Sequence, residues 1–260
     1  MRTNIQKVDN NWIDIKNECR NTVGKEATNN GVSDSFKSKL LISQHSPIRH
    51  LSIKWRWEGI KSWISVHFAR HWLGWDKWVS TQRNDRTGIN RDKSPQDTPV
   101  NMDIKANAEA LINVARYRLC YQAHIETRSY MYDLKYQISK YESELANVLV
   151  PNCIYRGGCP EFTPCGLWDR FINFCIDYYI ENNIINADDM CFDAHGETLK
   201  RLTDIQERYD MFTKFCESKI YFTNGVDIKD ETWYNDSILK KGSIWNGKDR
   251  YFTKDSWGHN

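Results

Sequence analysis

The stretch His50-Leu51-Ser52-Ile53-Lys54-Trp55-Arg56-Trp57-Glu58 alternates without a break, with Leu51, Ile53, Trp55 and Trp57 on one side and polar groups on the other. Period-two patterning predicts a strand with one buried face, and Gly59 is expected to end it. Directly afterwards Trp63, Ile64, Phe68 and Trp72 recur at near-helical spacing, which predicts a buried helix over 61–72 bounded by Gly74. Strand and helix together make the chain α/β (α+β).

Working outward, residues 80–100 read as a long polar loop, and a structureless loop of that length inside a compact domain is usually functional or mobile. Residues 101–145 carry Ala106, Ala108, Ala110, Leu111, Val114, Ala115 and Leu119, then Tyr132, Leu134, Ile138 and Leu145. This 3–4 spacing predicts two helices broken near 123–126. Residues 150–166 form a Cys, Gly and Pro loop, and 167–185 and 197–220 read as further helices. Residues 1–38, rich in Asn, Lys, Asp and Ser, are expected to be an N-terminal arm, either a strand plus loop or a loosely held segment. The core is placed at 39–185, and 186–260 is read as a helical, aromatic-rich extension packed on it.

Thirty-six Lys plus Arg against 34 Asp plus Glu leave a formal charge of only +2. That balance argues against a partner bound mainly by neutralising duplex phosphates. Eleven Trp, 13 Tyr and 10 Phe supply core material that the modest aliphatic content does not. No apolar run approaches the roughly 18 residues of a membrane span, and no signal peptide is evident. A cytoplasmic protein is therefore expected, in a host cytoplasm if the AT-rich style of the composition reflects a phage source. Eight Cys in 260 residues is far below the density of a disulfide scaffold, so reduced thiols are expected.

Two groups of residues carry chemistry. Arg70-His71-Trp72 is followed, after seven residues, by Ser80, then Thr81, Gln82 and Arg83. Guanidinium groups beside a hydroxyl suit an anionic ligand, with Arg supplying bidentate phosphate contacts and Ser a neutral hydrogen bond. Cys153, Cys159 and Cys165 recur every six residues around Gly157, Gly158, Pro160 and Pro164, a pattern compatible with a metal or with packed thiols. The spacing lacks the short Cys-x2-4-Cys knuckle, and the fourth ligand, Cys120 or Cys175, is not fixed by the sequence.

The order of these elements resembles the flavin-dependent thymidylate synthases, the ThyX family. The family signature is Arg-His-Arg, seven residues, then Ser, preceded by a His-x-Ser-x-x-x-His run, a strand ending at Gly and a helix. Here His45-Ser46-Pro47-Ile48-Arg49-His50 precedes the strand, Gly59 follows it, and Val66-His67-Phe68-Ala69 leads into Arg70-His71. Downstream, Glu126-Thr127-Arg128 resembles Glu-x-Ala-Arg, Leu149-Val150-Pro151 resembles Leu-Pro, and Cys165-Gly166-Leu167-Trp168 resembles a Cys-Asn-Leu-Arg helix start. The likeness spans residues 40–180. Trp72 stands in place of the second signature Arg, and His67 in place of a substrate-contacting Gln.

The resemblance implies a ThyX-like fold with a mixed sheet and long helices, assembled as a homo-oligomer, a tetramer with FAD held between subunits. It implies reductive methylation of dUMP to dTMP with methylenetetrahydrofolate and NADPH as co-substrates. His50, Arg70 and His71 are then expected at the FAD. His67, Ser80, Arg83 and Arg128 are expected at dUMP, with Ser80 and Arg83 nearest the chemistry. The altered nucleotide side leaves two alternatives: a flavin- and folate-dependent pyrimidine hydroxymethylase, or a non-catalytic protein of the same fold that binds nucleotide or aids assembly.

Overall fold

The computed structural model describes residues 3–185 and 193–218. In chain order the elements are β1 (Thr3–Asp9), α1 (Trp12–Thr22), α2 (Asp34–Ser43), β2 (Ser52–Lys61), α3 (Ser62–Ala69), β3 (Trp75–Val79), α4 (Asn84–Thr87) and β4 (Pro99–Asn107). They are followed by α5 (Ala108–Arg118), α6 (Ile125–Ser139), α7 (Ser143–Val148), α8 (Asn152–Arg156), α9 (Leu167–Glu181), α10 (Ala194–Arg201) and α11 (Ile205–Glu217). The class is α+β, as the sequence leads one to expect.

The four strands form one sheet in the order β1-β2-β4-β3, and every neighbouring pair is antiparallel. The sheet is therefore not mixed. No crossover connection of the parallel kind is present among these strands, because each pair exchanges direction. Ile53, Trp55 and Trp57 of β2 stand opposite Ala106, Ile104 and Met102 of β4, and all six are buried. On the other face Arg56 opposes Asp103 and bonds it through Nε and Nη2, each at 2.7 Å. One face packs on helices and the other meets solvent, which is the physical origin of the strict alternation in β2.

Gly59 does not end β2. The register shifts between Trp57 and Ile60, and Gly59 sits in that bulge at φ +64°, its N–H donating to the Asn101 side chain at 3.0 Å. A bulge needs a residue that tolerates positive φ, so the glycine bends the strand and lets it run on to Lys61.

The expected N-terminal arm opens with the edge strand β1. Thr3 fixes it twice: its hydroxyl accepts from Trp57 Nε1 at 2.9 Å, and its N–H donates to Asp133 of α6 at 2.9 Å. The polar loop expected over 80–100 contains α4 and gives way to β4 at Pro99, and residues 101–107, expected as helix, are strand instead. The helix starts at Ala108, capped by the Asn107 side chain, which accepts from the Ala110 N–H at 2.9 Å. The expected break near 123–126 lies at 119–124, between α5 and α6.

Helix α6 is the central buried element, with every residue from Thr127 to Lys135 out of solvent. Burial of Lys135 is tolerated because its ammonium donates to the Ala146 and Leu149 carbonyls at 2.8 and 3.1 Å. The helix expected over 197–220 is two helices, α10 and α11. Trp233, Trp245 and Trp257 lie outside the described residues.

Trp55, Trp57 and Trp75 are almost fully buried, with Trp55 edge-on to both others at 5.6 and 5.2 Å between ring centroids. These three indoles are core rather than a stacking surface. Trp72 and Trp78, by contrast, are 72% and 56% exposed.

Candidate functional site

Helix α3 ends at Ala69, earlier than its spacing predicts, and Arg70 is its C-cap residue. The chain then turns through Gly74, at φ +65°, into β3. The turn brings His71 back under the C-terminal end of α5, where Arg118 Nε donates to His71 Nε2 at 3.1 Å. Arg118 Nη2 also donates to the His67 carbonyl at 2.7 Å, so one guanidinium ties the end of α3 to the end of α5. From the neighbouring edge strand, Lys77 Nζ donates to the His71 carbonyl at 2.6 Å.

The electrostatics follow from this crowding. Burial first, then Arg118 and Lys77, push the His71 imidazole down to about 4. It is therefore neutral at pH 7, with Nε2 the unprotonated nitrogen that accepts from Arg118. Burial and then Arg70 hold the Arg118 guanidinium below its ordinary value. Burial, then Arg118, Arg70 and His124, likewise depress His67. Among the described residues no carboxylate forms an ion pair with Arg70, Lys77 or Arg118. Three cations gathered around neutral imidazoles suit a small dianion, because like charges brought this close gain most from a negative ligand.

The N-terminal end of α6 forms the next wall. His67 Nδ1 lies 2.8 Å from Thr127 Oγ1, and Trp63 packs edge-on to both His67 and His124. Lys61 pairs with Glu126 at 2.9 Å. Arg128, two residues on, is only 1% exposed and lies 4.4 Å over the Tyr121 ring.

Ser80 and Arg83 stand at the other end of β3. A five-residue strand spans about 16 Å, so within one chain they are separated from His71 by that order of distance. Ser80 extends the sheet ladder: its N–H donates to the Asn101 carbonyl at 2.8 Å, and its Oγ accepts from the Asn101 N–H at 2.9 Å. Arg83 is exposed and holds Asp85 through two bonds of 3.0 and 2.8 Å. His50 is exposed at the end of a 3-10 turn, Ser46–His50, whose Pro47 and Ile48 are buried, and it lies beside the Arg49–Glu109 pair.

Of the expected residues, the structure thus gathers His67, Arg70 and His71 at one junction and sets Ser80 and Arg83 apart. Sequence reasoning missed Arg118, Lys77 and Thr127. Nothing local marks Arg118 over Arg116, which stacks instead on Tyr155 at 3.8 Å. Cys153 is buried on α8, while Cys159 and Cys165 are partly exposed. Among the described residues no group of three or more His, Cys, Asp or Glu side chains stands close enough to hold a metal ion.

Fold and site define an α+β protein whose cation-rich junction, at the converging ends of α3, α5 and α6, suits an anionic ligand. No helix among the described residues is long and apolar enough to cross a membrane. No protein-family model matches the chain, and no curated protein matches it in sequence. Among solved structures it is similar to thymidylate synthase X (ThyX) from Helicobacter pylori with FAD and dUMP, at 12% identity over 57% of this chain and 99% of that one, with a TM-score of 0.48. A second structure of the flavin-dependent enzyme from that organism, complexed with FAD and dUMP, gives 12% identity over 58% and 100% and a TM-score of 0.49. The UMP/dUMP methylase PolB from Streptomyces cacaoi, bound with 5-Br dUMP, gives 13% over 56% and 93%, with a TM-score of 0.47.

Proposed function

We propose that this chain is a flavin-dependent thymidylate synthase-like enzyme, methylating dUMP to dTMP with methylenetetrahydrofolate and NADPH. The observation that carries the reading is the junction of Arg70, His71, Lys77 and Arg118. The Arg-His pair picked out by the sequence pattern lies beside Lys77 and Arg118, and none of these three cations, Arg70 included, forms an ion pair with a carboxylate among the described residues.

These residues fit an anionic cofactor such as FAD. Arg70 and Arg118 would hold its phosphates with charge-assisted bonds. When bound, FAD would supply the hydride that completes the new methyl group. His71, held neutral, presents its ring to the site without adding charge, and Arg118 fixes the orientation of that ring. His67, anchored on Thr127, would serve the pyrimidine side.

Ser80 keeps a hydroxyl proton to donate, since its oxygen serves as acceptor for Asn101, and it contacts the nucleotide in this reading. Arg83 would exchange Asp85 for the dUMP phosphate, and His50 would lie at the flavin edge; Arg128, buried over Tyr121, would join the phosphate only once that ring moves aside. Because Ser80 and Arg83 sit at the far end of β3 from His71, a complete site calls for a second copy of the chain. That supports a homo-oligomer, a tetramer in this reading, with a core of residues 39–185 flanked by 1–38 and 186–260.

Purified protein should carry or bind FAD and, given dUMP, methylenetetrahydrofolate and NADPH, yield dTMP. Hydroxymethyl-dUMP as product would move the assignment to a pyrimidine hydroxymethylase. Absence of both flavin binding and product would refute an enzymatic role and leave a nucleotide-binding or assembly protein.

A further inference from the structure

Cys120 and Cys165 lie with their sulfurs 3.8 Å apart, although 45 residues separate them in sequence. Cys120 is in the α5–α6 connection, and Cys165 immediately precedes Gly166, the N-cap residue of α9. The two loops are laced beside the thiols by Gln122, whose Nε2 donates to the Thr163 carbonyl at 3.0 Å. Both cysteines are partly exposed, whereas Cys153, Cys175 and Cys216 are buried. A disulfide needs about 2.05 Å between sulfurs, so closing the pair requires a movement of only about 1.8 Å.

We propose that Cys120 and Cys165 form a redox-active dithiol that closes to an intramolecular disulfide on exposure to a peroxide. The roles of the two thiols are unequal. Cys165 precedes the N-terminal end of α9 and Cys120 follows the C-terminal end of α5, so the helix ends favour a thiolate at Cys165 and disfavour one at Cys120. In keeping with that placement, the hydrogen bond shared with Cys120, then the backbone N–H groups of Leu167 and Tyr121, hold the Cys165 pKa below the ordinary thiol value, while the same bond and burial push Cys120 up, which makes Cys120 the resolving thiol.

In the first step the Cys165 thiolate attacks one peroxide oxygen; the O–O bond breaks, hydroxide leaves, and the sulfur becomes a sulfenic acid. In the second the Cys120 sulfur, losing its proton, attacks the Cys165 sulfur; the S–S bond forms, and the sulfenic oxygen leaves as water. Two thiols lose two electrons and two protons, and one hydrogen peroxide becomes two waters.

The pair is placed to act on the site. Cys120 is two residues from Arg118, which holds His71, and adjacent to Tyr121, whose ring lies under Arg128. A covalent tie to the start of α9 restricts the loop that carries Tyr121 and follows Arg118 at the end of α5. This inference is independent of the enzymatic reading, since it concerns thiols and a loop and needs neither FAD nor dUMP.

The test is hydrogen peroxide titration of the reduced full-length chain, thiol blocking, and peptide mapping without reduction. A linked Cys120–Cys165 peptide should appear before Cys19 or Cys159 is consumed, and dithiothreitol should reverse it. Cys120→Ser should leave Cys165 as a sulfenic acid trapped by dimedone, while Cys165→Ser should leave Cys120 as an alkylatable thiol. Backbone hydrogen exchange over 119–124 should slow about tenfold on oxidation. Recovery of both cysteines as free thiols at peroxide levels that oxidise Cys19 or Cys159 would overturn the proposal. Equal oxidation of Cys120 in the Cys165→Ser variant would do the same. If a serine variant does not fold, mapping of the unmodified chain decides alone.

Discussion

Arg118 donates through Nε to His71 Nε2 at 3.1 Å, 47 residues away in sequence, and thereby joins the C-terminal ends of α3 and α5. The bond fixes the imidazole ring and sets a half-buried positive charge beside it. Replacing Arg118 by Ala, or Arg70 by Ala, should weaken FAD affinity by roughly 10–100-fold, the value of one charge-assisted hydrogen bond. Arg20→Ala, which removes only a bond to the Glu26 carbonyl, should leave it unchanged. Flavin titration by fluorescence measures all three.

His71 also gives a pH prediction. Its pKa is pushed from 6.5 to about 4 by burial, Arg118 and Lys77, so the unfolded chain binds more protons between those values. Stability contributed by neutral His71 is complete above about pH 6.5 and is lost as the pH falls through 4. Allowing for solvent screening at a half-buried ring, the loss is about 1–2 kcal/mol. His71→Gln keeps an acceptor for Arg118 and should flatten that part of the profile. Urea unfolding of both proteins at pH 7 and pH 4.5 measures the difference.

Gly74 is the pivot that returns the chain from α3 to β3. A Cβ there would meet Asn107 Cγ at 2.9 Å, and the backbone stands at φ +65°. Asn107 is the N-cap of α5, and its own N–H donates to the Gly74 carbonyl at 3.0 Å. Gly74→Ala should therefore cost about 2–3 kcal/mol, combining positive-φ strain with damage to the cap. Thermal unfolding should show a lowered Tm, and the variant should bind FAD less well because His71 follows the turn.

Trp55 tests the core. It is fully buried and edge-on to Trp57 and Trp75. Trp55→Ala should cost about 3–5 kcal/mol. Trp57→Phe should cost about 2 kcal/mol, through loss of the Thr3 bond and the space left by the smaller ring, and should loosen β1. Denaturant melts measure both, and hydrogen exchange in β1 isolates the second.

How much was legible in the sequence depended on how far each feature reached. The alternation of β2 is visible because its two faces meet different solvents, and the α5–α6 break is visible because apolar spacing lapses there. β4 alternates too, with Val100, Met102, Ile104 and Ala106 on the buried side, yet it runs straight into the Ala-rich start of α5. Period alone does not divide such a run; pairing with β2 does. Likewise Gly59 reads as a strand end until the partner strand shows a bulge.

The sequence by itself determined the α+β class, the tryptophan core of β2 and the Arg70-His71 pair, since composition, periodicity and neighbouring residues are local properties. Tertiary structure decided the all-antiparallel sheet, the choice of Arg118 over Arg116, the distance of Ser80 and Arg83 from His71, and the meeting of Cys120 with Cys165. Each of those depends on contacts between distant segments, whose geometry is set by packing around α6 and leaves no periodic trace in the chain.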